Sequence, residues 1–125
     1  MRMATQVDRT APSAPAPSWG WLWQAITGVA LVVLLAVHMV AQHFVAAHGL
    51  RDYAEVVAYL RNPLILVVEL LFLVTVTTHA LLGVRAIVFD FGLSDAAERR
   101  VTWALWVIGA LTVGYGLWLI WSIIH

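Results

Sequence analysis

The sequence predicts an all-α membrane protein built on three transmembrane helices. Three observations carry that reading. Of 125 residues, 62 % are hydrophobic and only 11 % charged, against roughly 25 % charged in soluble domains. A chain this short has too little interior to hide so much apolar surface from water. Finally, three stretches each hold the run of about 20 apolar residues that a helix needs to cross a bilayer.

Residues 1–18, MRMATQVDRTAPSAPAPS, are polar, small and proline-rich. They have no apolar centre of their own, so they read as a flexible tail rather than a signal peptide. Residues 19–125 form the membrane domain. Its first span covers 19–45, where only Thr27, Gly28 and His38 interrupt the apolar run from Ala25 to Val40. The following loop is not featureless. In DYAEVVAYLRNP, Tyr53, Val56, Val57 and Leu60 recur on one helical face, and Asp52 with Glu55 forms a capping box. Asn62-Pro63 ends the segment. A short amphipathic helix at the membrane interface is predicted. The second span covers 63–89. A polar connection follows, in which Ser94 suits an N-cap and Asp95 and Glu98 suit a first turn. The third span covers 101–124.

All seven basic residues are arginines. Arg2, Arg9, Arg85, Arg99 and Arg100 fall on one side of a three-span topology, and Arg51 and Arg61 on the other. The positive-inside rule then places the N-terminus inside. Trp19, Trp21, Trp23, Trp103 and Trp106 mark the inner interface, Trp118 and Trp121 the outer one. The net charge is zero and cysteine is absent. No nucleic-acid partner is implied, and neither disulfides nor cysteine-ligated metal centres can form.

The second span poses a chemical question. In THALLGVRAIVFDFG, His79 lies roughly 24 Å beyond Pro63 and roughly 16 Å before Asp90 along a helix axis. It is deep in the membrane, toward the inner side. Arg85 and Asp90 are close enough to the inner headgroups to reach water. A buried ionisable residue in a span marks an ion path, a counter-ion or a cofactor ligand. Here a neutral imidazole bonded to a neighbouring helix and an axial haem ligand are both open. Gly83, one turn on, leaves room for a flat macrocycle or for a closely packed helix. His38 lies toward the outer side, roughly 10 Å from His79 in depth, with Gln42 and His43 a turn beyond. It is either bonded to a loop carbonyl or a ligand in its own right. His43, His48 and His125 fall at or beyond the outer interface. Glu69 either reaches the outer headgroups, serves a proton path, or pairs with His38 or His43.

HALLGVRAIVFDFG resembles the second-span signature of the small membrane-anchor (cytochrome b) subunits of succinate dehydrogenase, the succinate:quinone oxidoreductase of respiratory complex II. His79, Gly83, Arg85 and Asp90 match it in order and spacing. WLWQAITG, Trp21 to Gly28, resembles the opening of span one in that family. The resemblance covers roughly residues 19–122. It implies pairing with a second membrane-anchor subunit into a haem-binding helical bundle. It further implies docking of the iron-sulfur and flavoprotein subunits on the inner face of a cytoplasmic (inner) membrane. His79 becomes an axial ligand of haem b, metal-binding through its iron, with Gly83 and Arg85 beside the haem. Thr27 and Asp90 become quinone-site residues. If His38 binds as well, it serves a second, outer haem, as in two-haem members. Two positions depart from the family pattern: Ala25 stands for an arginine, and Phe91 for a tyrosine in one anchor type. The chain itself performs no succinate chemistry under this reading. The alternatives are a cytochrome b-type electron carrier unrelated to succinate, and a haem-free bundle whose histidines relay protons.

Overall fold

A computed structural model describes residues 18–45 and 51–125. The tail before Ser18, the loop 46–50 and with it His48 lie outside the described residues. The chain runs α1 (Trp19–Met39), a π-helical turn (Val40–Phe44), α2 (Tyr53–Leu60), α3 (Pro63–Phe89) and α4 (Asp95–Ile124). Three of these helices are long and apolar enough to cross a membrane, and the π-helical turn continues the first to Phe44.

Each helix begins where a side chain satisfies its free N–H groups. Ser18 accepts from the Trp21 N–H at the start of α1. Asp52 and Glu55 close a reciprocal capping box on α2, at 2.8 and 3.0 Å. Asn62 Oδ1 accepts from Leu64 N at 3.0 Å, with Pro63 as the first residue of α3. Ser94 accepts from Ala97 N. Because that cap fires at Ser94, the helix carrying the third span starts at Asp95, six residues before its apolar run. Gly92, with φ 67°, makes the reversal out of α3 that a side chain would strain.

α3 is the middle helix. α1 packs on one side of it and α4 on the other, while α1 and α4 do not touch; α2 lies across the N-terminal end of α3 and the C-terminal end of α4. The α3–α4 seam is closed by leucines set into glycine gaps. A Cβ on Gly109 would lie 2.7 Å from Leu81 Cδ1, and one on Gly116 would lie 2.6 Å from Leu73 Cδ2. Small residues of this kind let membrane helices approach closely.

A single layer of three helices buries little. Among the described residues only Thr27, Tyr59 and Leu60 are buried, and none of them completely. The tryptophans at both ends of the spans point outward. The apolar faces so exposed suit lipid or further helices, not water.

The short helix keeps most of its expected face, with Val56 and Val57 half-buried and Leu60 buried, and departs from it at Tyr53. Tyr53 is exposed, and it is Tyr59 that is buried with Leu60. The cause is polar. Tyr59 donates its hydroxyl to Glu69 of α3 at 2.7 Å, and Arg51 lies 4.2 Å above its ring.

Candidate functional site

One face of α3 carries Glu69, Phe72, Val76, His79 and Gly83 at three- and four-residue spacing, so these side chains line one stripe. That stripe meets α1, and the two helices place polar groups at two levels. Glu69 and His79 are ten residues apart, roughly 15 Å along the axis.

At the level nearer the N-terminus of α1, His79 faces Thr27, Gly28 and Gln24. Its Nδ1 lies 3.1 Å from Thr27 Oγ1, and its Nε2 lies 3.5 Å from Gln24 Nε2. Thr27 is 7 % exposed, the one buried polar residue among those described. Its hydroxyl also lies 2.8 Å from the Trp23 carbonyl and 3.2 Å from that of Gln24. The ring fits because Gly28 has no side chain: a Cβ there would be 3.2 Å from His79 Cε1. Gly83 does the same for Gln24, whose Nε2 would be 3.3 Å from a Cβ. The glycine of the second-span pattern thus makes room for an amide of the neighbouring helix. Gln24 Oε1 is buried without a partner. The sequence reading missed Gln24. Its position three residues before Thr27 on the same helix face was the available signal.

Arg85 lies nearer the C-terminal end of α3. Its Nε donates to Thr102 Oγ1 of α4 at 3.4 Å, and its guanidinium stacks on Phe89 at 4.2 Å. It therefore bridges α3 and α4. Thr77, Leu81, Arg85, Thr102, Trp106 and Gly109 are among the walls of an apolar groove of 490 Å³ between those helices. Asp90 caps the C-terminus of α3 and is exposed. Among the described residues it makes no hydrogen bond or ion pair with Arg85. Of the residues read from the sequence, the structure brings together Thr27 and His79. Arg85 and Asp90 stand apart, one turned to α4 and one exposed at the C-terminal end of α3.

At the other level, nearer the N-terminus of α3, His38 Nδ1 lies 2.9 and 2.8 Å from the two oxygens of Glu69, and its ring packs on Phe72 at 4.9 Å. Glu69 Oε1 also accepts from Tyr59. Of the fates the sequence left open for Glu69, pairing with His38 is the one the structure adopts. Two donors satisfy a carboxylate that would cost several kcal/mol if left bare in the membrane. Burial, and then the bond to Glu69 and its charge, push the Tyr59 phenol well above its ordinary range, with Arg51 opposing in part. Arg51 also donates to the Ala41 carbonyl at 2.9 Å, inside the π-helical turn. One cluster thus ties α1, α2 and α3 together. Neither Tyr59 nor Arg51 was assigned to it from the sequence. His43 and His125 are exposed, the latter stacked on Trp121 at 3.8 Å.

Among the described residues no three His, Asp or Glu side chains gather as a metal cage. His79 is a lone imidazole on its stripe, which is the number an axial haem position takes from one chain.

The sequence matches the family described as the succinate dehydrogenase/fumarate reductase transmembrane subunit over residues 2–117. It is 36 % identical over 93 residues to the succinate dehydrogenase hydrophobic membrane anchor subunit of Thermoplasma acidophilum, across 74 % of this chain and 76 % of that one. The subunit of the same name from Archaeoglobus fulgidus is 34 % identical over 103 residues, 82 % of this chain and 87 % of its own. The succinate dehydrogenase 2 membrane subunit SdhC of Mycobacterium tuberculosis is 28 % identical over 93 residues, 74 % of this chain and 66 % of its own.

Proposed function

Because this chain belongs to the succinate dehydrogenase/fumarate reductase transmembrane subunit family and is a membrane anchor of succinate dehydrogenase, we propose that it holds haem b on His79 and helps form the quinone site at the inner end of its helices. The observation that carries the proposal is the environment of His79. An imidazole sits at mid-membrane depth with its Nδ1 on Thr27, in a seam opened by Gly28, and with an unpartnered amide oxygen of Gln24 beside it. That donor set suits one axial imidazole. His79 would ligate through Nε2, and Arg85 would pair an anionic substituent from the inner side. When bound, haem b supplies a one-electron store beside the path from succinate to quinone.

A second membrane-anchor subunit would cover the exposed helix faces and supply the other axial ligand. The iron-sulfur and flavoprotein subunits would dock on the inner face, with the N-terminus of this chain on that side. Quinone reduction takes two electrons and two protons. Asp90 is exposed at the inner end of α3, where its carboxyl would pass protons from the inner side. Ala25 and Phe91, which lack the polar groups of the family pattern, leave the principal quinone contacts to the partner anchor. His38 is engaged by Glu69, and we assign it to the outer cluster rather than to a second haem.

The test is to purify the complex through this chain and measure its subunits, its haem and its succinate-to-quinone activity. The proposal expects flavoprotein and iron-sulfur partners and one haem b per complex. A complex with both soluble partners, active with quinone but without haem, would refute the haem assignment. Two haems per complex, falling to one in His38→Phe, would refute the assignment of His38.

A further inference from the structure

The hydroxyl of Thr27 faces three acceptors and has one proton. It lies 2.8 Å from the Trp23 carbonyl, 3.2 Å from that of Gln24 and 3.1 Å from His79 Nδ1. Two other helical threonines, Thr78 and Thr112, donate to the carbonyl four residues back at the same 2.8 Å. Thr27 makes that bond too, so its proton lies on Trp23. What it presents to His79 is a lone pair. The hydrogen must then sit on Nδ1 of the imidazole.

The other side of the ring agrees. Nε2 faces the Gln24 amide nitrogen at 3.5 Å, which can only donate. A hydrogen on Nε2 would set donor against donor. The consistent arrangement is a single directed chain. Gln24 N–H donates to His79 Nε2, the place the haem iron would take from it, Nδ1–H donates to Thr27 Oγ1, and Thr27 O–H donates to the Trp23 carbonyl. Each bond in such a chain polarises the next. Gly28, whose Cβ would lie 3.2 Å from Cε1, lets the ring seat at this depth against α1.

We propose that Thr27 is a positioning residue for His79: it fixes the tautomer whose lone pair is on Nε2 and, through the Trp23 carbonyl, makes that nitrogen a stronger electron donor. The inference rests on the reading of His79 as a haem ligand. Hydrogen bonds to the far nitrogen of a ligating histidine set its tautomer and raise its basicity. Thr27 therefore acts on the haem and not on the quinone, because its only proton is already on Trp23.

The experiment uses the purified complex with its haem, in the parent and in Thr27→Val, Thr27→Ser and His79→Ala. Haem content, the low-spin haem resonance, the haem midpoint potential and the KM for quinone are measured. Loss of one hydrogen bond corresponds to roughly a fivefold change in the oxidised-to-reduced ratio at a set potential. At roughly 59 mV per tenfold for one electron, that is a rise of about 40 mV in Thr27→Val. Thr27→Ser returns the parent value, and the quinone KM stays put. Loss of haem in Thr27→Val with recovery in Thr27→Ser leads to the same conclusion. Should the valine variant not assemble, Thr27→Ala removes the same hydroxyl and is read in the same way. An unchanged or lowered potential, or a raised quinone KM with the parent haem signal, overturns the proposal. A parent haem signal in His79→Ala instead overturns the haem reading on which it rests.

Discussion

Glu69 is the residue whose removal the outer end of the molecule should feel most. Its carboxylate accepts from His38 Nδ1 at 2.9 and 2.8 Å and from Tyr59 at 2.7 Å. Its side chain is 11 % exposed and that of His38 27 %. Hydrogen bonds to charged groups are worth roughly 1.5–3 kcal/mol each. The partial exposure of His38 favours the lower end of that range, so Glu69→Ala should cost about 3 kcal/mol. Glu69→Gln keeps the shape and can still accept, but neutral bonds are roughly half as strong. It should cost about 1.5 kcal/mol. Tyr59→Phe removes one bond and should cost about 1.5 kcal/mol. The sharper expectation is non-additivity. Once Glu69 is alanine, Tyr59 has nothing to donate to, so the double variant should be no less stable than Glu69→Ala alone, a coupling of about 1.5 kcal/mol. Denaturant unfolding of the purified complex in detergent, followed by helical circular dichroism, measures all four. Strict additivity, or a Glu69→Ala variant as stable as the parent, would refute the reasoning and return Glu69 to the outer headgroups.

Three further outcomes follow from the same geometry. Gly116→Ala should destabilise by about 1–3 kcal/mol, because its Cβ would lie 2.6 Å from Leu73, while Gly114→Ala, with nothing within 4 Å, should be neutral or stabilising by helix propensity; equal thermal stability of the two variants would contradict the leucine-into-glycine packing. Cysteine at Ala97 should resist an impermeant thiol reagent in intact cells and cysteine at Ala54 should react, since the arginines place residues 94–100 inside; the reverse labelling order would invert the topology. Asp90→Asn should lower kcat for quinone reduction by roughly 10²-fold or more if it passes protons, with KM changed little; an unchanged kcat with haem and subunits intact would move proton delivery to the partner anchor.

The spans were legible because they rest on local facts. Apolar length decides what crosses a bilayer, and Ser94 carries the side chain that starts a helix, whereas Ser18 and Asn62 were not read as caps. The capping box of Asp52 and Glu55 was readable for the same reason. The packed face of α2 was legible only in part, in Val56, Val57 and Leu60 but not in Tyr59. Counting apolar side chains selects Tyr53, whereas the contact that orients the helix is the hydroxyl of Tyr59 on an acid from another span. The π-helical turn at Val40–Phe44 left no mark in the sequence. Nor did the meeting of Thr27 with His79, 52 residues apart, because it depends on the register of α1 against α3. The pair Thr27–Gly28 hinted at a close approach, without saying to what. Gln24 was missed for the same reason: what marks it is its contact with the imidazole of another helix.

The central claim is that this anchor binds haem b through His79, and the most direct measurement is the reduced-minus-oxidised spectrum of the purified complex carrying His79→Ala. The account predicts that the low-spin haem b bands are lost or shifted, while succinate oxidation with an artificial acceptor persists, because that chemistry resides in the soluble subunits. An assembled His79→Ala complex with the haem bands of the parent, unchanged in position and amplitude, would contradict it.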